Sequence, residues 1–411
     1  MNTLLIENVK VYQDHHFVDG PVLILNGKFE KIGPAALKAL DTLSADKGAA
    51  AGKAGAACGA EGLGEIPVLD GEGKRLIPGF IDPHTHGAAG VDVNGAGVEG
   101  LRKIAAFFAS QGTTGWLASV LTDTKEQTLK AIADILEVMK DEGKGAQLMG
   151  VHLEGPFLSH EYKGAMPDFL LQKGDPDLFF EYQKAAKGAV KYITVSPEVE
   201  NCQDLIAAIS HDTVVAIGHS GATYEEAMAA IDNGARCITH TFNAMKLFHQ
   251  HFPAIMGAAL ESDAYCEAIC DGRHLAPATV RMLLKCKGWD RVIGITDSIM
   301  AAGLPDGNYK LGVNDVVVVD GDAKLLDGTR AGSTLTTGQA FKNLMKFTQH
   351  PMEDVIPILT ENTAAALRMS DRKGRIKPGL DADCLLVNEE GDVLTTIVGG
   401  NIVYEKETSL V

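Results

Sequence analysis

Nowhere does the chain carry the ~20 consecutive apolar residues that a membrane span needs, which excludes a helical membrane protein. At the N-terminus, Glu7 interrupts Leu4-Leu5-Ile6 before a signal-like apolar region can form, so a cytoplasmic protein is expected. Positive charge is also in deficit: 37 Lys and Arg against 54 Asp and Glu leave a net charge of −17. That balance argues against nucleic acid and anionic membrane surfaces as partners, although a pocket can still be locally basic. The seven cysteines are an odd number without regular spacing, and Cys266 and Cys270 have three residues between them rather than two. This excludes a disulfide framework and a zinc ribbon, and leaves small buried thiols in a reducing compartment.

What is present is a chain of 411 residues, 45% hydrophobic and 22% charged, too long for one small core. It suits a barrel of about 250 residues with a smaller companion domain. Residues 4–12, 21–26 and 28–32 read as short strands, the last two joined by an Asn26-Gly27 turn. Residues 34–66 are rich in Ala and Gly and can bury little apolar surface, so a flexible insertion is expected there. Strand-like text returns at 383–388 and 393–404. The expected organisation is one small β-sandwich domain from residues 1–76 and 375–411, around a middle domain of residues 77–374.

That middle alternates apolar runs with amphipathic helical text such as 124–142 and 223–233, the signature of parallel βα units. The apolar runs are 77–84, 114–122, 148–154, 192–197, 213–219, 237–240, 264–271 and 292–297. Eight such units close an α/β fold into a (β/α)8 TIM barrel. Six of the eight runs end in a group able to bind a metal or move a proton: His84 with His86, Glu154, His219, His240, Asp271 with His274, and Asp297. In this architecture the C-terminal ends of the strands carry the active site.

His84 and His86 are separated by one residue, and period-two alternation turns both rings to one side. Glu154 precedes Gly155-Pro156 with no Lys or Arg nearby in sequence; a buried structural carboxylate would need a cation. A metal ligand is favoured, and a position bridging two ions is open to it. One core histidine at a strand end would be unremarkable. His219 and His240 on consecutive strands beside Glu154 instead fit a shared imidazole–carboxylate site for Zn2+ or Fe2+. Asp297 can take a proton from the attacking water and pass it to a leaving nitrogen, or cap the following turn. His152 reads as a core or supporting histidine. His15, His16, His160, His211 and His350 lie in polar or helical text and read as solvated.

These residues resemble the amidohydrolase superfamily, and within it the N-acetylglucosamine-6-phosphate deacetylases. The resemblance runs through Pro78-Gly79-Phe80-Ile81-Asp82, His152-Leu153-Glu154-Gly155-Pro156-Phe157, Gly218-His219-Ser220-Gly221 and His240-Thr241-Phe242-Asn243-Ala244-Met245. It continues through Asp271-Gly272-Arg273-His274, Thr296-Asp297 and Ala331-Gly332-Ser333-Thr334. It implies metal on Glu154, His219 and His240, with Asp297 as catalytic acid and base, and a second divalent ion where His84 and His86 are kept. It also implies substrate contacts from Asn243, Ala244, the 271–274 loop (Asp271, Arg273, His274) and the backbone at Arg330, Ala331 and Gly332.

Two departures from the family pattern stand out. His251 occupies the place of an Arg that pairs with the sugar phosphate, and Met166 that of a substrate-contacting His. An imidazole does not replace a bidentate guanidinium. Arg273 and Arg330, and after them Lys163, are the other cations in substrate-facing segments.

The expected activity is therefore metal-dependent hydrolysis of an N-acetyl amino sugar, foremost N-acetylglucosamine 6-phosphate, by a cytoplasmic homodimer. The alternatives are another N-acetylhexosamine, galacto or unphosphorylated, or a different amide or cyclic amide. A catalytically dead sugar sensor is disfavoured by the complete set of ligand and proton-transfer residues.

Overall fold

The computed structural model describes residues 2–39, 42 and 66–407. Most of the expected 34–66 insertion lies outside the described residues; 34–39 have helical backbone.

Eight parallel strands form the central sheet in chain order: β1 (Phe80–Asp82), β2 (Thr113–Leu121), β3 (Gln147–Glu154), β4 (Val190–Val195), β5 (Val214–Ile217), β6 (Cys237–Ile238), β7 (Tyr265–Ile269) and β8 (Val292–Ile295). β1 and β8 meet just past their ends, where the Asp297 and His86 N–H groups donate to the carbonyls of His84 and Ser298, at 2.9 and 2.7 Å. Below this seam, Asp82 accepts from the backbone and hydroxyl of Thr296. Burial pushes the Asp82 carboxyl up to about 6 despite these bonds.

Helices follow where the sequence supplies amphipathic text and caps. Lys125–Val138 is capped by Thr124, and Tyr224–Asp232 by a reciprocal Thr223–Glu226 box. Their apolar faces pack on the outward side chains of the strands, Trp116, Ala118, Val120, Val215 and Ile217 among them.

Inside the barrel, side chains change character with height. Leu117, Tyr192, Cys237 and Tyr265 form an apolar floor with Ala364 and Leu367. Two residues further along stand Ser119, Thr194 and Glu267 on the same strands and Thr239 just past β6, all fully buried. His152 bridges two of them, bonding the hydroxyls of Ser119 (2.7 Å) and Thr194 (3.0 Å), so it is a supporting histidine. The ligand-type residues lie above this polar layer.

Strands from both chain ends share one six-stranded sheet, in which Cys384–Val387 pairs with Arg75–Pro78. A four-stranded sheet containing Leu4–Glu7, Val22–Leu25, Lys28–Ile32 and Val68–Asp70 completes this part. Leu4, Ile6, Val11, Val22, Phe29, Leu386 and Ile397 belong to its own apolar cluster. A three-stranded antiparallel sheet not expected from the sequence follows β8: Gly307–Leu311, Asn314–Val319 and Asp322–Leu325.

Candidate metal centre and active site

Glu154 is the last residue of its strand, whereas His219, His240 and Asp297 lie past theirs, and the chain kinks at them. His219, His240 and Asp297 have φ of +48°, +27° and +48°. Such left-handed conformations are uncommon outside glycine, and the cost of holding them is of order 1–3 kcal/mol each. Surrounding bonds fix the kinks. Ser196 Oγ donates to the His219 carbonyl at 2.6 Å, and Glu198 accepts from Ser220 Oγ and Gly221 N at 2.7 and 2.6 Å. Gly332 comes so close to Asp297 that a Cβ on it would lie 2.8 Å from the Asp297 carbonyl and 2.5 Å from Ile299.

Two groups of donors result: His84, His86 and Asp297, and Glu154, His219 and His240, all buried, with the donor atoms of each group within 4.8 Å of one another. Glu154 lies between them. Its Oε1 is 3.1 Å from His219 Nε2 and 3.4 Å from His240 Nε2, while its Oε2 is 3.0 Å from His86 Nε2. The Nε2 atoms of His219 and His240 are 3.0 Å apart.

These separations suit a cation. Four-coordinate bonds of about 2.0–2.1 Å place neighbouring donors roughly 3.3 Å apart. His84 Nε2 gives an independent indication: it is buried and makes no hydrogen bond among the described residues, since Glu154 Oε1 at 3.3 Å is off the line of one. Burial alone would raise the Glu154 carboxyl, but the imidazoles of His84 and His86 hold it well below the usual range. Asp297 is likewise lowered against burial, by His84 and His86. Burial opposes charging His86, but Glu154 and Asp297 push it up to about 9. The centre is thus a cage of carboxylates and imidazoles around a place for positive charge.

His86, Glu154, His219, His240 and Asp297 line the bottom of a cavity of about 700 Å3. Of the expected substrate contacts, Asn243, Ala244, His274, Arg330 and Gly332 line the same cavity. Asp271 supports from behind, accepting His274 Nδ1 at 2.7 Å and the backbone N–H groups of Arg273 and His274.

Other expected contacts lie elsewhere. Arg273 turns away and donates to the Asp320 carbonyl. Ala331 is fully buried and its N–H is taken by the Ala323 carbonyl. His251 is exposed outside the cavity, on a loop with Leu247, Phe248 and Phe252 also exposed.

Two residues of consequence escaped the sequence reading. Lys324, from the three-stranded sheet, lines the cavity without any sequence signal. Glu267 had one: a lone carboxylate inside the apolar strand Tyr265-Cys266-Glu267-Ala268-Ile269.

The amidohydrolase family model matches residues 75–403. An N-acetylglucosamine-6-phosphate deacetylase of Bacillus subtilis (strain 168) is 36% identical over 334 residues, 80% of this chain and 84% of that protein. An N-acetylgalactosamine-6-phosphate deacetylase of Escherichia coli O157:H7 is 31% identical, over 79% of this chain and 86% of its own. The crystal structure of the N-acetylglucosamine-6-phosphate deacetylase of Thermotoga maritima superposes with a TM-score of 0.82 at 32% identity, covering 98% of this chain and 100% of that one. The chain belongs to the amidohydrolase family and, within it, to the group of the N-acetylglucosamine-6-phosphate deacetylases.

Proposed function

We propose that this protein hydrolyses the acetamide of N-acetylglucosamine 6-phosphate to glucosamine 6-phosphate and acetate. The observation that carries the reading is the convergence of Glu154, His219 and His240 with Asp297 at the bottom of one cavity.

Glu154, His219 and His240 would hold one divalent ion, and His84, His86 and Asp297, beside Glu154, a second. The nitrogen and oxygen donors suit Zn2+ or Fe2+. Such an ion, when bound, polarises the acetyl carbonyl and makes water acidic enough to attack it. Asp297, held as a carboxylate by its histidine neighbours, takes the proton of the attacking water. As the C–N bond breaks, the same carboxyl returns that proton to the amine. His274, braced by Asp271, and Asn243 orient the sugar hydroxyls.

The two chain ends are read as one domain (1–76 and 375–411) and the barrel as another (77–374), each with its own apolar cluster in support. A homodimer is proposed because Leu247, Phe248 and Phe252, 81%, 57% and 72% exposed, form an apolar patch that a second copy can cover. A cytoplasmic setting is supported by the buried free thiols Cys202, Cys237, Cys266, Cys270 and Cys384.

Acetate release from N-acetylglucosamine 6-phosphate, its galacto epimer and both unphosphorylated sugars, with and without prior chelation, tests the reading. The gluco phosphate should be fastest, and chelation should abolish turnover. His251 at the Arg position and the galacto-specific name of one relative favour a second reading, the galacto substrate or an unphosphorylated sugar. A preference for any of these replaces the leading substrate.

A further inference from the structure

The imidazoles of the centre are held from behind in different ways. His86 Nδ1 lies 3.1 Å from the Ser119 carbonyl, and His219 Nδ1 lies 2.9 Å from the Tyr162 carbonyl. His240 Nδ1 has no hydrogen-bond partner among the described residues. His84 alone among the four is backed by a charge: its Nδ1 is 3.0 Å from Glu267 Oε2, both side chains being fully buried.

Glu267 has further bonds. Its Oε2 accepts the His240 backbone N–H at 2.8 Å, and its Oε1 accepts the Tyr192 hydroxyl at 2.7 Å. From β7, one carboxylate thus ties the segment after β1, the β4 tyrosine and the turn after β6, directly beneath both donor groups. No Lys or Arg pairs with it among the described residues. A carboxylate buried at the barrel axis with donors on three sides is costly unless those donors need it.

We propose that Glu267 is the positioning residue of the second ion site: it fixes the proton of His84 on Nδ1, turns the Nε2 lone pair into the cage, and strengthens it as a donor. This rests on the two-ion reading above. A backbone carbonyl, as behind His86 and His219, orients a ring but adds no net charge. A carboxylate also raises the basicity of the ligating nitrogen, and losing such support commonly weakens metal affinity 10–100-fold. Glu267 is not among the residues that line the cavity, and the only metal-ligand side chain it bonds among the described residues is that of His84.

The test is metal stoichiometry rather than turnover. Glu267→Gln keeps the shape: the amide oxygen can still accept from His84 and His240, and the amide nitrogen can donate to the Tyr192 oxygen. Protein stripped with a chelator and titrated with Zn2+ is followed by calorimetry, and by elemental analysis after dialysis. Wild type should take up two ions, and E267Q should bind the second 10–100-fold more weakly with the first unchanged. On a His84→Ala background, E267Q should add nothing further. If wild type and E267Q bind two ions with equal affinities, the proposal is overturned and the two-ion reading stands. A wild type that binds a single ion overturns the proposal and the two-ion reading together, while acetate release judges the deacetylase reading separately. An additional effect of E267Q without His84 also overturns it, since Glu267 would then act on the general scaffold.

Discussion

The Nε2 atoms of His219 and His240 face each other at 3.0 Å, with Glu154 Oε1 within 3.4 Å of both. Two imidazole lone pairs and a carboxylate oxygen have little reason to converge in a buried place unless a cation joins them. Glu154→Gln, His219→Asn and His240→Asn should each lose bound metal, measured by elemental analysis, and lose nearly all acetate release. The far-ultraviolet circular dichroism should stay that of a folded barrel. A variant that keeps both metal and turnover would contradict the assignment.

Asp297 lies 3.4 Å from His86 Nε2 and 3.6 Å from His84 Nε2, at the cavity floor. Asp297→Asn preserves the size but removes the proton acceptor. Its kcat should fall by at least the ~10²–10⁴ that general acid–base help supplies. Metal on Glu154, His219 and His240 should remain. A kcat within a few-fold of wild type would move the proton shuttle to another group.

The barrel was legible because its strands are apolar runs that stop at histidines and carboxylates, and that pattern survives without any tertiary information. The side from which each ligand enters was less legible. Period two placed the His84 and His86 rings together, yet β1 ends at Asp82 and the pair lies in the segment beyond it. His219, His240 and Asp297 enter through left-handed kinks that no propensity announces. Glu267 is readable in principle, standing two residues after Tyr265 on the inward face, but Asp271 at the end of the same run carries the stronger local signal. The substrate side was the least legible. Whether Arg273 or Lys324 reaches the cavity depends on how the three-stranded sheet folds over it, a non-local matter that local sequence does not encode.

Asp381 receives Lys28 at 3.1 Å, Arg372 at 2.9 Å and Lys373 at 3.6 Å. Burial alone would raise its carboxyl, but Lys373, Lys28 and Arg372 hold it below the ordinary value. The folded protein therefore binds this proton more weakly than the unfolded chain does. The resulting stability is present above the unfolded pKa, about 3.9, and is lost as pH falls through the lower folded value. Asp381→Asn should lower stability at pH 7 by about 0.5–1 kcal/mol, since Lys28 and Arg372 are half exposed and their pairs screened, read as a lower unfolding midpoint in urea. The gap between wild type and D381N should narrow as pH drops from 5 to 3. A gap constant over that range would mean the side chain acts by packing alone.

The phosphate question now has a sharper form, because the structure reorders the candidate cations. Arg273 is committed to the Asp320 carbonyl and does not line the cavity. Arg330 and Lys324 do, and they share Asp322 at 3.0 and 2.7 Å. Lys163 also lines the cavity; its Nζ meets the Met166 carbonyl at 3.3 Å, and it makes no ion pair among the described residues. Lys163 is therefore the cation with charge to spare, and Arg330 the one able to swing from Asp322 onto a bidentate partner. Removing a charge-assisted bond costs about 1.5–3 kcal/mol, so Lys163→Ala and Arg330→Ala should each raise KM for the phosphorylated sugar roughly 10–100-fold. kcat should change little, KM for the unphosphorylated sugar should stay put, and Arg273→Ala should behave as wild type. Contacts made by Lys and Arg keep their charge across the neutral range, whereas an imidazole loses its own. Wild-type KM measured from pH 5.5 to 8.5 should then follow only the phosphate's second ionisation near 6. A KM that climbs steadily above neutrality, and that His251→Arg flattens, would assign the phosphate to His251 and return Lys163 and Arg330 to the cavity wall.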